Sequence, residues 1–394
     1  MTSAARLDDT RQQGSDAAIL RAIFVSNACT AAAFAILTPT LVANLAKNHT
    51  SAFGIAVVTS IWALPSVFGG PLFTRVIARF NARIGLLVGM SCYVLIILAF
   101  PVLPNIWAWI ALQLISGVLL GFFYLVIEAW LNHFSTDSFR GRLAAIYGIV
   151  PAVGYSIGAG VYPLVGSRGC APFIAAAIAA GAGTVPLLRV PKDAGKVVIG
   201  GEMRLWATAR AAPFLLAVGA IGGMLQTVAW GDFPVYALSN GFSIRNVSSI
   251  LSAFYAGQIV LTYPIGWIGD RIDRRVLLTW VGWIAVAIMT AMYLGARAYA
   301  LWPIVFVAGG LFCAVYTLGL ALLGQRFESR SLASACASFM SAYSVGAAVG
   351  PPLVGGLMDR FGPAALPLSL AGAGAALSIC GMTARLEWSS RRLA

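Results

Sequence analysis

The sequence predicts an all-α membrane protein of twelve transmembrane helices, arranged as two similar six-helix bundles. Three observations predict it. The 394-residue chain is 60% hydrophobic and only 10% charged, far from the composition of a soluble globular domain. Apolar runs long enough to cross a hydrocarbon layer of about 30 Å recur along the whole chain. The most polar interior segment, RVPKDAGKVVIGGEMRLWATAR at 189–210, divides those runs six and six.

In chain order, residues 1–17 begin MTSAARLDDTRQQGSD, polar and mixed in charge. The apolar stretch after them is too long for a signal-peptide core, so a retained cytoplasmic tail is expected. The first bundle, 18–188, holds spans at 18–45, 53–74, 84–104, 105–132, 141–166 and 170–188. Pro101, Pro104, Gly166 and Gly169 supply the short turns that split its longest apolar runs. A cytoplasmic linker at 189–210 precedes the second bundle, 211–385, with spans at 211–238, 246–269, 275–297, 301–325, 331–357 and 363–385. A cytoplasmic tail, 386–394, follows.

With both termini in the cytoplasm, 21 of the 26 basic residues fall on the inner side; Lys47, Arg168, Arg245, Arg297 and Arg360 remain outside. The positive-inside rule selects this orientation. Topology and attraction to anionic membrane lipids then account for the net charge of +13, so no nucleic-acid partner is implied. The six cysteines are scattered through the spans without a C-x-x-C pair, which suggests neither a disulfide framework nor a zinc site.

The two halves echo each other. Pro163-Leu-Val-Gly166 recurs as Pro352-Leu-Val-Gly355, Pro39 corresponds to Pro234, and Gly70-x-x-x-Thr74-Arg75 corresponds to Gly266-x-x-x-Asp270-Arg271. Three correspondences in one order at nearly constant offset indicate an internal repeat of the kind a rocking transporter uses.

GWIGDRIDRRVLL, 266–278, resembles the loop signature of the major facilitator superfamily, and the six-plus-six plan agrees with it. Within that superfamily, IEAWLNHFSTDSFRGRLAAIYGIV (127–150), GQIVLTYPIGWIGDRIDRR (257–275) and VGAAVGPPLVGGLMDRFGP (345–363) resemble the YcaD-like bacterial branch, to which copper- and riboflavin-type importers are related. Two positions depart from the pattern. Thr74 stands where the first-half signature has aspartate, and LALLGQRF (320–327) is apolar where relatives carry histidine and an Asn-Asp pair.

The resemblance implies a bacterial inner-membrane location, a monomer, and a conformational latch at Gly266, Asp270, Arg271, Arg274 and Arg275. In the family, the carboxylate closes the inner side against the N-terminus of a helix in the other half, here span 5. Such a contact contributes about 0.3–1 kcal/mol when exposed, enough to bias two states without locking either. Thr74 has no charge, so the matching latch on span 11 is expected to be weaker. Gly350, Pro351 and Pro352 on span 11 resemble an antiporter motif, but are read as a packing hinge, which explains them without any export chemistry.

The resemblance also implies a cavity lined by spans 1, 4, 7 and 10. Its candidate substrate-facing residues are Asn27, Thr30, Phe34 and Thr38 on one stripe of span 1, Gln113 and Tyr124 on span 4, Gln226 and Trp230 on span 7, and Tyr316 on span 10. Aromatic and amide groups in an apolar pocket suit an amphipathic organic solute. Asp232, between Gly231 and Pro234, reads as an outer gate or a helix-end cap at a break in span 7.

Glu128 is the one carboxylate inside span 4, near its inner end. It is either a brace, paired with Arg140 or Arg142 across the following loop, or a proton carrier that couples solute movement to the proton gradient. No P-loop, no His-Glu-x-x-His and no methionine or histidine pair within a cavity span occurs, so no enzymatic activity, cofactor or metal site is expected. The expected function is secondary transport of a small, amphipathic organic solute, proton-coupled and directed to export. Uptake of a small nutrient or cofactor precursor is the alternative, and a non-transporting membrane sensor or assembly factor a further one.

Overall fold

The computed structural model describes residues 3–68, 81–134, 140–166, 169–190, 205–295, 300–327 and 329–390. Among them stand twelve principal helices: α1 (Ser3–Lys47), α2 (Ala52–Phe68, with a 3-10 turn at Ile61–Ala63), α3 (Ala82–Ala99), α4 (Ile106–Phe134), α5 (Arg140–Val165), α6 (Ala171–Leu187), α7 (Pro213–Ser239), α8 (Ile244–Gly269), α9 (Arg274–Tyr293), α10 (Leu301–Arg326), α11 (Ser329–Phe361) and α12 (Ala365–Ser390). A short helix, Leu205–Ala211, leads into α7. Eight of the twelve are long and apolar enough to cross a membrane; α2 and α6 are apolar but shorter.

Local chemistry sets the helix starts. Ser51, Asn81, Ser243 and Asp273 each accept a hydrogen bond from a backbone N–H in the first turn of α2, α3, α8 and α9, satisfying donors that the helix leaves orphaned. Prolines lie inside α1, α5, α6, α7, α8 and α11, as packed membrane helices allow. Large apolar side chains such as Leu95, Leu164, Trp107 and Tyr263 point outward, as a lipid-facing surface requires.

α1 packs on α5 and α6, and α3 on α4 and α6; α7 packs on α10, α11 and α12, α8 on α10, and α9 on α12. The first six helices thus associate chiefly with one another, as do the last six. The groups meet along two seams, α2 against α11 and α5 against α8, with a smaller contact of α7 on α1 and α2. Small residues let the partners approach. A methyl on Gly154 would overlap the Ala28 carbonyl oxygen of α1, and one on Gly346 of α11 would overlap that of Ala220 on α7. These two crossings occupy equivalent places in the halves.

One expectation needs correction. α7 runs unbroken from Pro213 to Ser239 with Pro234 inside it, so Gly231 and Pro234 do not break the helix and Asp232 is not a helix-end cap; a single missing backbone donor is tolerated where neighbouring helices enclose the segment. Residues 3–17, expected as a cytoplasmic tail, are helical as the first part of α1. Thr74 and Arg75, and most of the 189–210 linker, lie outside the described residues.

Candidate functional site

At the centre of the molecule, five aromatic rings from both helix groups converge. Phe34 of α1 meets Trp62 of α2 at 5.2 Å and Trp230 of α7 at 5.7 Å, edge to face. Tyr155 of α5 lies 5.3 Å from Trp230 and stacks on Tyr255 of α8 at 5.0 Å with the planes only 21° apart. Edge-to-face and offset geometries are those the ring quadrupoles favour. The indole nitrogens of Trp62 and Trp230 are both buried without a hydrogen-bond partner.

Toward the side where α1 begins and α4 and α10 end, called here the near side, the aromatic cluster gives way to a more polar basin. Glu128 is half-buried on α4, and the Tyr147 hydroxyl of α5 donates to its Oε1 at 3.4 Å. Tyr124, one turn away on α4, pairs through its hydroxyl with Tyr155. From the other group, Tyr316 of α10 and Cys336 of α11 come within electrostatic range of Glu128. Tyr316 also packs on Tyr343 at 5.4 Å, and the Tyr343 hydroxyl is bonded to the Gln226 side-chain oxygen of α7. α4 and α10 themselves make little contact among the described residues. Tyr124, Glu128, Tyr147 and Tyr316 keep partial exposure there, whereas Phe34 and Trp230 are enclosed.

The residues expected to line a cavity divide into three sets. Phe34 and Trp230 join the ring cluster, and Tyr124, Gln226, Tyr316 and Glu128 form the basin. Asn27, Thr30, Thr38 and Gln113 are instead closed inside the helix packing. Thr30 is bonded to the Ser26 carbonyl, while both amide atoms of fully buried Asn27 lack a partner. Asp232 is 1% exposed, with Oδ2 unbonded. Glu128 has Tyr147 as its partner; the side chains of Arg140 and Arg142 lie outside the described residues. Trp62, Tyr147, Tyr155, Tyr255 and Tyr343 were not anticipated. They sit on α2, α5, α8 and α11, the seam helices, and their signal in sequence was only aromatic identity in mid-span.

The seams end in carboxylates. On the far side, Asp359 at the end of α11 accepts hydrogen bonds from the backbone N–H of Ala52 (2.7 Å, Oδ1) and of Phe53 (2.9 Å, Oδ2), the first residues of α2. With Ser51 Oγ bonded to the Gly54 N–H, the start of α2 is capped from both helix groups. A cavity of about 360 Å³ adjoins this contact, lined by the ends of α1, α7 and α11 and the start of α2. On the near side, Asp270 points elsewhere. Its carboxylate is 70% exposed and pairs at 2.9 Å with Arg274, which also donates to the Ala321 carbonyl. Arg271 lies over the Trp267 ring at 3.5 Å, Arg275 is within 3.8 Å of Asp273, and the Gly266 carbonyl closes the last turn of α8 on the Asp270 N–H. Gly350 packs on Met224 of α7, and α11 continues through Pro351 and Pro352.

Set beside known proteins, the chain matches the Major Facilitator Superfamily profile over residues 23–244 and again over 215–392. An uncharacterised MFS-type transporter of Bacillus subtilis, YfkF, is 25% identical over 288 residues, covering 70% of this chain and 72% of the relative. Its Escherichia coli counterpart YcaD, also uncharacterised, is 23% identical over 333 residues, 84% and 86% of the two chains. Among solved structures, the nucleoside transporter NupG superposes with a TM-score of 0.75 at 14% identity over 93% of this chain and 98% of that one. The human organic anion transporter MFSD10 does so with 0.67 at 13% identity, over 93% and 99%. At such identities these structures speak for the fold alone.

Proposed function

The chain belongs to the major facilitator superfamily of membrane transporters, and from that premise we propose that it carries a small amphipathic organic solute by proton-coupled alternating access. The observation that carries the proposal is Glu128. It is a partly exposed carboxylate on α4 where that helix makes little contact with α10, bonded to a tyrosine of its own half and within electrostatic range of Tyr316 and Cys336 in the other. A carboxylate so placed feels the two halves approach and separate. Closing the gap removes water from it and favours the protonated form; opening the gap restores water and favours release. Solute in the aromatic basin and proton on Glu128 are thereby exposed to the same side at the same time.

In this proposal the near side is cytoplasmic, the membrane is the bacterial inner membrane, and the six-helix groups rock about their two seams. The structure then corresponds to the state closed on the far side, with the Asp359 contact engaged, and open on the near side. The Gly266–Arg275 loop would engage the start of α5 only in the opposite state. Asp232 belongs to the far-side half of α7 and would be reached when that side opens.

Radiolabelled-solute accumulation in inverted membrane vesicles, across a compound panel and with or without a proton gradient, tests this directly. The wild type should accumulate solute only with a gradient, and the sense of the gradient separates export from uptake. Glu128→Gln should abolish accumulation while leaving the amount of protein and downhill exchange largely intact. Accumulation that persists in Glu128→Gln would remove Glu128 from the coupling.

A further inference from the structure

The ring cluster and the polar atoms left unpaired beside it restrict what the solute is. We infer that the protein takes a planar, uncharged heteroaromatic compound with hydrogen-bond acceptors on its edge, gripped between Tyr155 and Tyr255 beneath the indoles of Trp62 and Trp230. The inference deepens the proposed transport function and rests on it.

Four features lead there. Tyr155 and Tyr255 are the near-parallel pair of the cluster, and each belongs to a different helix group. A flat ring entering between them would take over the face-to-face contact the groups now make with each other, opening the centroid separation from 5.0 Å to roughly 7 Å, still within stacking range. A saturated or branched ring would not fit such a slot, since its thickness would force the α5–α8 seam apart.

Next, Trp230 is 8% exposed and its indole N–H has no partner, as is true of the indole N–H of Trp62; Phe34 touches both rings. A buried donor left unpaired costs about 1–3 kcal/mol, and indole can only donate. Trp230 lies 5.3 Å from Tyr155 and Trp62 joins the same cluster through Phe34, and two such donors in one cluster call for a ligand that accepts, such as a ring nitrogen or carbonyl oxygen.

Third, among the described side chains neither the rings nor the basin presents an arginine or lysine, and Glu128 is the formal charge they present. An organic anion would be desolvated there with no counter-charge. Finally, a cation finds aromatic faces and a carboxylate, but with no acceptor to offer it leaves both indole N–H donors unpaired. The neutral acceptor satisfies all the groups present.

Purified protein in nanodiscs, titrated by tryptophan fluorescence, tests this with five probes: caffeine (planar, neutral, two carbonyls), naphthalene (planar, no acceptor), camphor (bulky, one carbonyl), naphthalene-1-sulfonate (planar anion) and 1-methylquinolinium (planar cation). Caffeine should bind at least tenfold more tightly than the other four. Trp230→Phe, which keeps a ring and deletes the donor, should weaken caffeine about tenfold and leave naphthalene unchanged. Tyr255→Leu should weaken both planar neutral probes and spare camphor, with unfolding temperature and elution volume verifying that each variant is folded. No caffeine binding up to millimolar concentration, equal binding of camphor, or tighter binding of either charged probe would overturn the assignment. The vesicle assay separates the two claims: gradient-driven movement of camphor-like solutes alone sinks the planar class and leaves transport standing, whereas caffeine binding without movement of any probe sinks transport and leaves the site.

Discussion

Two carboxylates, Asp359 and Asp270, stand at opposite ends of the contact between the helix groups, and they are occupied differently. Asp359 reaches across to the other group and takes the first two backbone N–H groups of α2. Asp270 stays at home with Arg274 one turn along. Both are the same device, an acid that a helix N-terminus can attract. One is engaged and the other is not, and under the alternating access proposed above the two would exchange these states. The asymmetry of the repeat sharpens the point: where the second half has Asp270, the first has Thr74, and the acid that does bridge the groups comes from α11 instead.

The comparison can be broken at its engaged end. Asp359→Asn keeps the shape but loses the charge, and it should cost the far-side-closed state about 1–2 kcal/mol, a roughly five- to thirtyfold shift in population toward far-side opening. Spin-label distances between the far-side ends of α2 and α11 read the shift; an unchanged distribution would show that the contact carries no conformational weight. Less drastic is the restoration of symmetry. Thr74→Asp supplies the missing near-side acid and should favour near-side closure by about 0.3–1 kcal/mol, a roughly two- to fivefold change in labelling of a single cysteine placed on α4 beside Glu128. Smallest of all is Asp270→Asn in the near-side-open state. It deletes an exposed ion pair between residues four apart, so thermal stability should change by less than about 0.5 kcal/mol. A large loss of stability would mean that Asp270 already bridges the groups.

Much of the fold was legible because lipid imposes simple rules on sequence. Each helix had to be an apolar run, the arginines had to collect on one side, and the Gly-x-x-x-Asp-Arg loop marked the end of α8. The site was legible where polarity repeats at helical spacing: Tyr124 and Glu128 share a face of α4, and Gln226 and Trp230 one of α7. It was illegible on the seam helices. On α8, Tyr255 is enclosed at the centre and Tyr263 faces outward, yet eight residues apart in one apolar run they look alike. Asn27 failed the other way, since a buried amide and a cavity amide share the same stripe. Asp359 did carry a signal, since Gly355-x-x-x-Asp359-Arg360 has the pattern of Gly266-x-x-x-Asp270-Arg271. Its partners were not legible, because they lie 307 and 306 residues away.

The Asp359 contact is made at the surface, with its acceptor and donors open to the far-side solution. Charges in that position are screened within a Debye length of about 8 Å at physiological ionic strength and about 3 Å at 1 M salt. At 2.7 and 2.9 Å the contact lies well inside the physiological length and matches it only near 1 M, so salt at about 1 M on the far side alone should loosen the contact, while the same salt on the near side leaves it alone.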